Sequence, residues 1–325
     1  MTEGSSTPTF DASVAPTGQQ TGRRRGRTLH KIVRNWRLYV FMAPALLTVL
    51  IFNYLPMYGI QIAFKNYIPA FGMADSPWVG LDHFIRFFNS YYFWDLLWNT
   101  LSISLYGLAV GFPLPILLAL AFNEVRVGFF KKTVQTVTYA PHFISTVVMA
   151  GMIITFLSPS SGMLVNLLEA LGISPPNFLT DPRWFKTMYV FSDVWQATGW
   201  GTIIYLAALS AVDPGLHEAA ILDGASRMQR IRHINIPVII PTITILMILN
   251  VGSLLSVGYE KILLLQNPLN MSSSDVIATF VYRIGLLEAQ YSYSTAVGLF
   301  NSVVNAILLI VINQVVRRTS ENSLW

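Results

Sequence analysis

Six stretches of at least 19 residues carry no lysine, arginine, aspartate or glutamate: residues 38–64, 96–123, 133–168, 194–212, 234–259 and 289–316. A helix needs roughly 20 predominantly apolar residues to cross a bilayer. Within hydrocarbon every backbone amide must be bonded inside the protein, which leaves helices or closed barrels as the spanning forms. Stretches of this length predict an all-α membrane protein with six transmembrane helices. The third stretch is long because Ser158-Pro159-Ser160-Ser161-Gly162 ends its helix and begins a loop. The fourth is predicted to start nearer Trp184, which places Asp193 inside a span. Composition agrees, with 53% hydrophobic and 11% charged residues and a mean hydropathy of +0.52, where soluble domains carry roughly a quarter charged residues.

The basic residues orient the spans. With an even span count both termini share one side. That side receives Arg23, Arg24, Arg25, Arg27, Lys31, Arg34 and Arg37, then Arg126, Lys131 and Lys132, then Arg227, Arg230 and Arg232, and finally Arg317 and Arg318. These are 15 of the 21 lysines and arginines, so positive-inside bias predicts cytoplasmic termini. The same rule reads the basic N-terminus as a topology signal and not as a nucleic-acid arm. Residues 1–28 are predicted to be a disordered basic tail. Residues 29–92 hold the first span and an aromatic segment, WVGLDHFIRFFNSYYFW, suited to lying at headgroup level. Residues 93–316 form a five-helix core and 317–325 a cytoplasmic tail. The far-side connections near 158–183 and 264–290 are long for structureless loops and predict short helices.

Several chemistries are excluded. There is no cysteine, hence no disulfide and no thiolate site. No GxxxxGK[ST] loop occurs, so the chain holds no nucleotide in the P-loop manner. His217-Glu218 begins like a zincin helix, but Ile221 stands where the second histidine is required. No metal site and no catalytic residue is predicted. Ionisable groups at membrane depth are costly and face a partner or a watery path. Asp193, with Trp195, Gln196 and Trp200 near it on one helix, reads as the lining of a solute path. The alternative is local pairing of Asp193, with the tryptophans as interfacial anchors. Tyr259, Glu260 and Lys261 are placed at the far end of the fifth span, as further lining candidates. Gly107 and Gly111 form a GxxxG compatible with a helix-packing face. Asn250, Asn301, Asn305 and His142 read as interhelical hydrogen-bonding residues.

The segment Asp213–Pro241, DPGLHEAAILDGASRMQRIRHINIPVIIP, is a polar interruption between two apolar runs. Asp213 can cap a helix with Pro214 in its first turn, and Asp223-Gly224 supplies a sharp stop. Ala219, Ala220, Gly224 and Ala225 keep side-chain bulk low around Glu218, a surface another protein could approach closely. An ordinary basic loop would explain Arg227, Arg230 and Arg232. It would not explain the small residues, the Asp-Gly turn, or Pro237 and Pro241.

Glu218-Ala219-Ala220, Asp223-Gly224-Ala225 and Ile234-x-Ile236-Pro237 with Pro241 beyond resemble the EAA loop of ABC-importer permeases. The commonest form has Phe where this chain has Met228 and Leu where it has Ile236; both changes keep an apolar contact. FNYLPMYGIQIAFKNY with SPWVGLDHFIRFF, GYEKILLLQNPLN, and QYSYSTAVGLFNSVVNAILL with a terminal SLW extend the likeness over residues 30–325. They resemble the polysaccharide-type branch of the carbohydrate-uptake permeases, those that import alginate foremost.

That resemblance implies a type I ABC importer permease fold with a cytoplasmic coupling helix, in a bacterial inner membrane. It implies a second homologous permease, an ABC ATPase dimer that binds ATP and Mg, a periplasmic or extracellular solute-binding protein, and a glycan cargo moved by alternating access. ATPase contact would fall to Glu218, Ala219, Ala220, Asp223, Gly224, Ala225, Met228 and Pro237. Two alternatives stand beside it: a polytopic enzyme acting on lipid-linked sugar with Asp193 and Glu260 as acid and base, and an ion-coupled secondary transporter. The latter is expected to show paired interrupted helices in two related halves, and none is evident.

Overall fold

The structure, a computed structural model, describes residues 34–126 and 128–319. The expected disordered tail of residues 1–28 and the terminal SLW lie outside the described residues. The chain divides into two compact units, Met1–Gly59 and Ile60–Trp325. In the first, α1 (Trp36–Val49) runs into a π segment, Leu50–Tyr54. Pro44 lies inside α1, and Thr48 Oγ1 donates back to the Pro44 carbonyl at 2.9 Å. No residue of α1 is buried, and Phe41 and Phe52 are strongly exposed. A helix apolar all round requires lipid or another protein about it.

The second unit begins at Ile60, and after a one-turn helix at Gly72–Asp75 come α2 (Asp82–Phe88), then α3 (Phe93–Gly111) and α4 (Pro113–Glu124), the last two forming one apolar rod. α5 (Phe129–Tyr139) and α6 (Thr146–Phe156) follow, then α7 (Met163–Ala170) and α8 (Pro182–Leu209). After α9 (Pro214–Leu222) and α10 (Arg227–Arg230) come α11 (Ile236–Gly252), α12 (Tyr259–Leu265), α13 (Ile277–Tyr282) and α14 (Tyr291–Thr319). An isolated bridge joins Lys65 and Trp78.

Among the described residues, four segments are long and apolar enough to cross a membrane: Trp36–Phe64, Phe93–Glu124, Arg227–Gly252 and Tyr291–Arg318. The third predicted span is broken. α5 and α6 meet at a 99° bend, where Pro141 sits in a 3-10 turn and Ser145 caps α6 by accepting from the Val148 amide. The fourth predicted span is α8, which starts at Pro182 and is long enough to cross at about 1.5 Å per residue. It is less apolar than the other four and carries Arg183, Lys186 and Asp193.

α8 is the axle of this unit. Its Phe185, Tyr189, Val190 and Val194 pack with Ile103, Met149, Ile153, Ile262 and Val276, and lower down Tyr205 and Leu209 pack with Ala119, Leu120 and Ile239. A side chain at Gly199 would overlap the backbone carbonyl of Thr138, so glycine there lets α8 and α5 touch backbone to backbone. The aromatic segment after the first span is not confined to a headgroup belt. Phe87 and Phe93 are buried with Phe280, Tyr293 and Val297, because α2 packs against the start of α14. Trp78, Tyr91, Trp94 and Trp98 stay exposed.

The long connections do contain short helices, and polar staples fix them. Asp275 takes a two-pronged contact from Arg283 at 2.6 and 3.3 Å and a bond from Thr279 Oγ1 at 2.9 Å. Asn99 of α3 reaches the Asp275 carbonyl at 3.1 Å. Asn270 is fully buried. Its Nδ2 donates to the carbonyls of Leu179 and Leu265, both at 3.0 Å, and its Oδ1 accepts from the Asn267 amide and Ser274 Oγ, both at 3.0 Å. Asn270→Ala strands these groups without solvent, at about 1–3 kcal/mol for each buried partner left unsatisfied. A clear drop in the thermal unfolding midpoint of the detergent-purified protein is expected; an unchanged midpoint would show that the staple carries no stability.

Candidate functional site

Two features stand out in the second unit: a cavity between the long helices and a projecting helix–turn–helix. The cavity measures about 560 Å³ and lies between α3, α8 and α11. Small residues make the space: Gly107 and Gly111 from α3, Ala197 and Gly201 from α8, and Ser253 and Ser256 after α11. A side chain built on Gly107 would meet nothing within 4 Å, while one on Gly111 would meet Val194 at 3.3 Å. The GxxxG therefore serves helix packing at Gly111 and opens the cavity at Gly107.

Asp193 lines this cavity with its side chain 59% exposed, and its Oδ1 lies 3.6 Å from the ammonium of Lys261. The Lys261 side chain is only 6% exposed. Its Nζ also sits 5.0 Å over the Tyr189 ring and 3.5 Å from the Tyr189 carbonyl. A buried ammonium needs such a set of partners, so the one negative group on this wall is matched by a cation behind it. Asn250, whose amide bonds only to Leu246 of its own helix among its observed contacts, lines the cavity instead of bridging helices. Asn305 does bridge, accepting from the Leu255 amide at 3.0 Å and donating to Ser256 Oγ at 2.9 Å.

The remaining path candidates lie elsewhere. Gln196 donates to the Ile144 carbonyl at 2.6 Å, and Trp200 stacks on His142 with ring centres 4.5 Å apart. Both face the α5–α6 bend, one edge away from the cavity. Trp195 points from another side of α8 and is half exposed. The fifth span does not reach Tyr259: α11 ends at Gly252, and Ser253, Ser256 and Gly258 interrupt the chain before α12 starts. Tyr259 stacks on Tyr282, and Glu260 is exposed outside the cavity. Asp193 and Glu260 therefore do not line one cavity, and nothing in the site supports the enzyme alternative. Lys261 is the residue that turns Asp193 into part of a site, and its signal in the sequence was its position beside an apolar run.

The Asp213–Pro241 segment is held by hydrogen bonds at Asp213, at the Gly224 turn and at Ser226. Asp213 Oδ1 accepts from the Gly215 amide at 2.9 Å and Pro214 opens α9. At the far end Gly224 adopts φ +78°. The Gly224 amide bonds to Ile221 O at 3.0 Å and the Ala225 amide to Ala220 O at 2.8 Å, the paired bonds of a Schellman stop. Ser226 and Gln229 then cap α10 reciprocally, with Ser226 N to Gln229 Oε1 at 2.7 Å. Glu218, Ala219, Asp223 and Pro237 are exposed, while Ala220 and Ala225 are half-buried. The tip is apolar: Leu222 is 88% and Met228 70% exposed, with Leu216 and Ile221 also open. Exposed apolar groups clustered on a rigid turn mark an interaction surface. The small residues drew attention in the sequence; Leu222, the last helical residue before the turn, is the most exposed apolar side chain of the tip.

Comparison with known proteins now bears on both features. Residues 111–321 match the family model described as "Binding-protein-dependent transport system inner membrane component". The chain is 43% identical over 302 residues to the polygalacturonan/rhamnogalacturonan transport system permease protein YteP of Bacillus subtilis (strain 168), covering 93% of this chain and 94% of that protein. It superposes with a TM-score of 0.83 and 44% identity on a chain of a bacterial ABC transporter involved in the import of the acidic polysaccharide alginate, over 90% of this chain and 99% of the other. A second structure, the bacterial alginate ABC transporter in complex with an alginate pentasaccharide-bound periplasmic protein, matches at 0.84 and 43%, over 92% and 100%. Likeness of this degree over almost the whole length gives the chain the type I ABC importer permease fold, multi-pass in the inner membrane. The chain belongs to the family of binding-protein-dependent transport system inner membrane components and is an ABC-importer permease.

Proposed function

We propose that this chain is one permease half of an ATP-driven importer of oligo- or polysaccharide, with acidic glycans such as alginate or polygalacturonan as the favoured cargo. One observation carries the mechanistic part of this reading: the helix–turn–helix at Asp213–Pro241 is fixed by hydrogen bonds at Asp213, Gly224 and Ser226 yet presents exposed Leu222 and Met228. A rigid element with an open apolar tip transmits force to whatever grips it. In this reading the grip is a separate ABC ATPase that binds ATP and Mg, two copies per transporter, contacting Glu218, Ala219, Ala220, Asp223, Gly224, Ala225, Met228 and Pro237. The termini and the segment are cytoplasmic, as the arginine and lysine distribution supports. A second, homologous permease faces this one in the lipid, residues 93–316 act as the transport core, and a solute-binding protein delivers the glycan on the other side. Closure of the ATPase pair draws the two segments together and turns the cavity outward; hydrolysis returns it inward.

The cavity wall supports a hydrated, acidic cargo. Glycine and serine expose backbone and hydroxyl groups for hydrogen bonding, and Lys261 offsets the charge of Asp193. An unmatched Asp193 would repel carboxylates along the path, since like charges in a low-dielectric wall disfavour approach.

Leu222→Asp puts a charge at the tip without touching the fold, because the side chain makes almost no contact within the chain. Loss of an apolar interface anchor costs about 2 kcal/mol or more. The ATPase is expected to dissociate from the detergent-purified complex and vesicle uptake to fall by more than about tenfold. Normal co-purification and normal uptake would rule out this tip as the ATPase contact, and the same assays on Glu218→Ala should show a smaller loss.

Asp193→Ala leaves Lys261 as a buried cation without its carboxylate behind the cavity wall. The complex is expected to assemble, as judged by size-exclusion elution with its partners, while uptake of an alginate oligosaccharide becomes slower. Unchanged uptake kinetics would separate Asp193 from the path.

A further inference from the structure

Glu124 is the last residue of α4, with its carboxylate at the negative end of the helix dipole, a place that disfavours an anion. Two side chains from more than a hundred residues onward hold it there. Arg230 Nη2 lies 3.6 Å from Oε2, and Asn235 Nδ2 donates to Oε1 at 3.5 Å. Arg230 ends α10, and Asn235 ends the π turn Ile231–Asn235 that leads into α11.

The π turn makes this grip possible. At about 100° per residue an α-helix would set residues five apart roughly 140° away from each other, aimed in different directions. In the π turn the backbone closes five residues apart, with the Ile236 amide bonded to the Ile231 carbonyl, so residues at that spacing are brought much closer in direction. Arg230 and Asn235 thereby converge on one carboxylate.

The junction is also buried and incompletely bonded. Asn235 is fully buried, and the side chains of Arg230 and Glu124 are 15% and 19% exposed. Arg230 Nε and Asn235 Oδ1 are buried without a hydrogen-bond partner, and the two contacts to Glu124 lie at the long edge of useful range. Buried polar groups are costly to leave unmade. A rearrangement of the same residues that completed these bonds would recover part of that cost.

The position of the junction gives that a use. On one side is the projecting Asp213–Arg230 segment. On the other is the α3–α4 rod, whose Gly107, Gly111 and Pro115 line the cavity. We propose that Glu124 is a positioning residue: clasped by Arg230 and Asn235 across the π turn, it is the joint that converts displacement of the projecting segment into movement of the cavity wall. The inference rests on the importer reading given above.

The test uses the complete transporter, with its binding protein, reconstituted in vesicles. Uptake of an alginate pentasaccharide and of trigalacturonate is measured together with ATP hydrolysis. Coupling free energies of the usual size correspond to factors of about 5–150. In Glu124→Ala, glycan imported per ATP is expected to fall at least about fivefold while basal hydrolysis holds, and the exchange Glu124→Arg with Arg230→Glu is expected to recover most of the ratio. Should the alanine variant fail to assemble, Glu124→Gln, which keeps the shape and the bond to Asn235, carries the same expectation at reduced size. Uptake and hydrolysis falling in equal proportion, an unchanged ratio, or an exchanged pair no better than the single variants would overturn the joint. Hydrolysis by the wild-type complex without uptake of either glycan would instead overturn the importer reading on which it rests.

Discussion

In hydrocarbon a backbone amide has no solvent to turn to, and the rest of this structure follows from that constraint. It makes the apolar stretches helical, and it decides how they can be interrupted. Where the third stretch bends by 99°, a 3-10 turn and the Ser145 cap take over the freed groups. Where the fifth span passes to its polar extension, a π turn and the Ser226–Gln229 box do so. Each break in a helix is local, bonded and placed where something has to change direction.

Small residues do two different things on this frame. At Gly199 the missing side chain lets α8 and α5 meet at their backbones, which is packing. At Gly107 it leaves open volume beside α8, which is a path. Both look alike as glycines in apolar helices. What separates them is the neighbour: the α5 backbone lies against Gly199, and nothing lies within 4 Å of a side chain built on Gly107.

Charge is handled the same way, by pairing at a distance in sequence. Asp193 meets Lys261, Glu124 meets Arg230, and Asp275 meets Arg283. The first neutralises a cavity wall, the second ties the projecting segment to the cavity rod, and the third pins the connection before α14. Only the last pair lies close enough along the chain to be guessed from spacing. With 11% charged residues, each pair carries a larger share of the specificity of the fold than it would in a soluble domain.

The sequence alone determined the helical membrane class, the position of four long apolar segments, and the Asp213–Pro241 element with its cap at Asp213 and its stop at Gly224. These depend on local physics: window hydropathy, capping side chains, and the positive φ that glycine tolerates. Its motif spacing also carried the family. The tertiary structure decided that Asp193 faces a cavity while Gln196 and Trp200 face the α5–α6 bend, because angular position on a helix has no meaning until the neighbours are in place. It decided that Phe87 and Phe93 are core and not belt, that Tyr259 and Glu260 belong to a separate helix, and that Lys261 is the counter-ion of Asp193. It also brought Arg230 and Asn235 onto Glu124, through a π turn that no periodicity of 3.6 residues could announce.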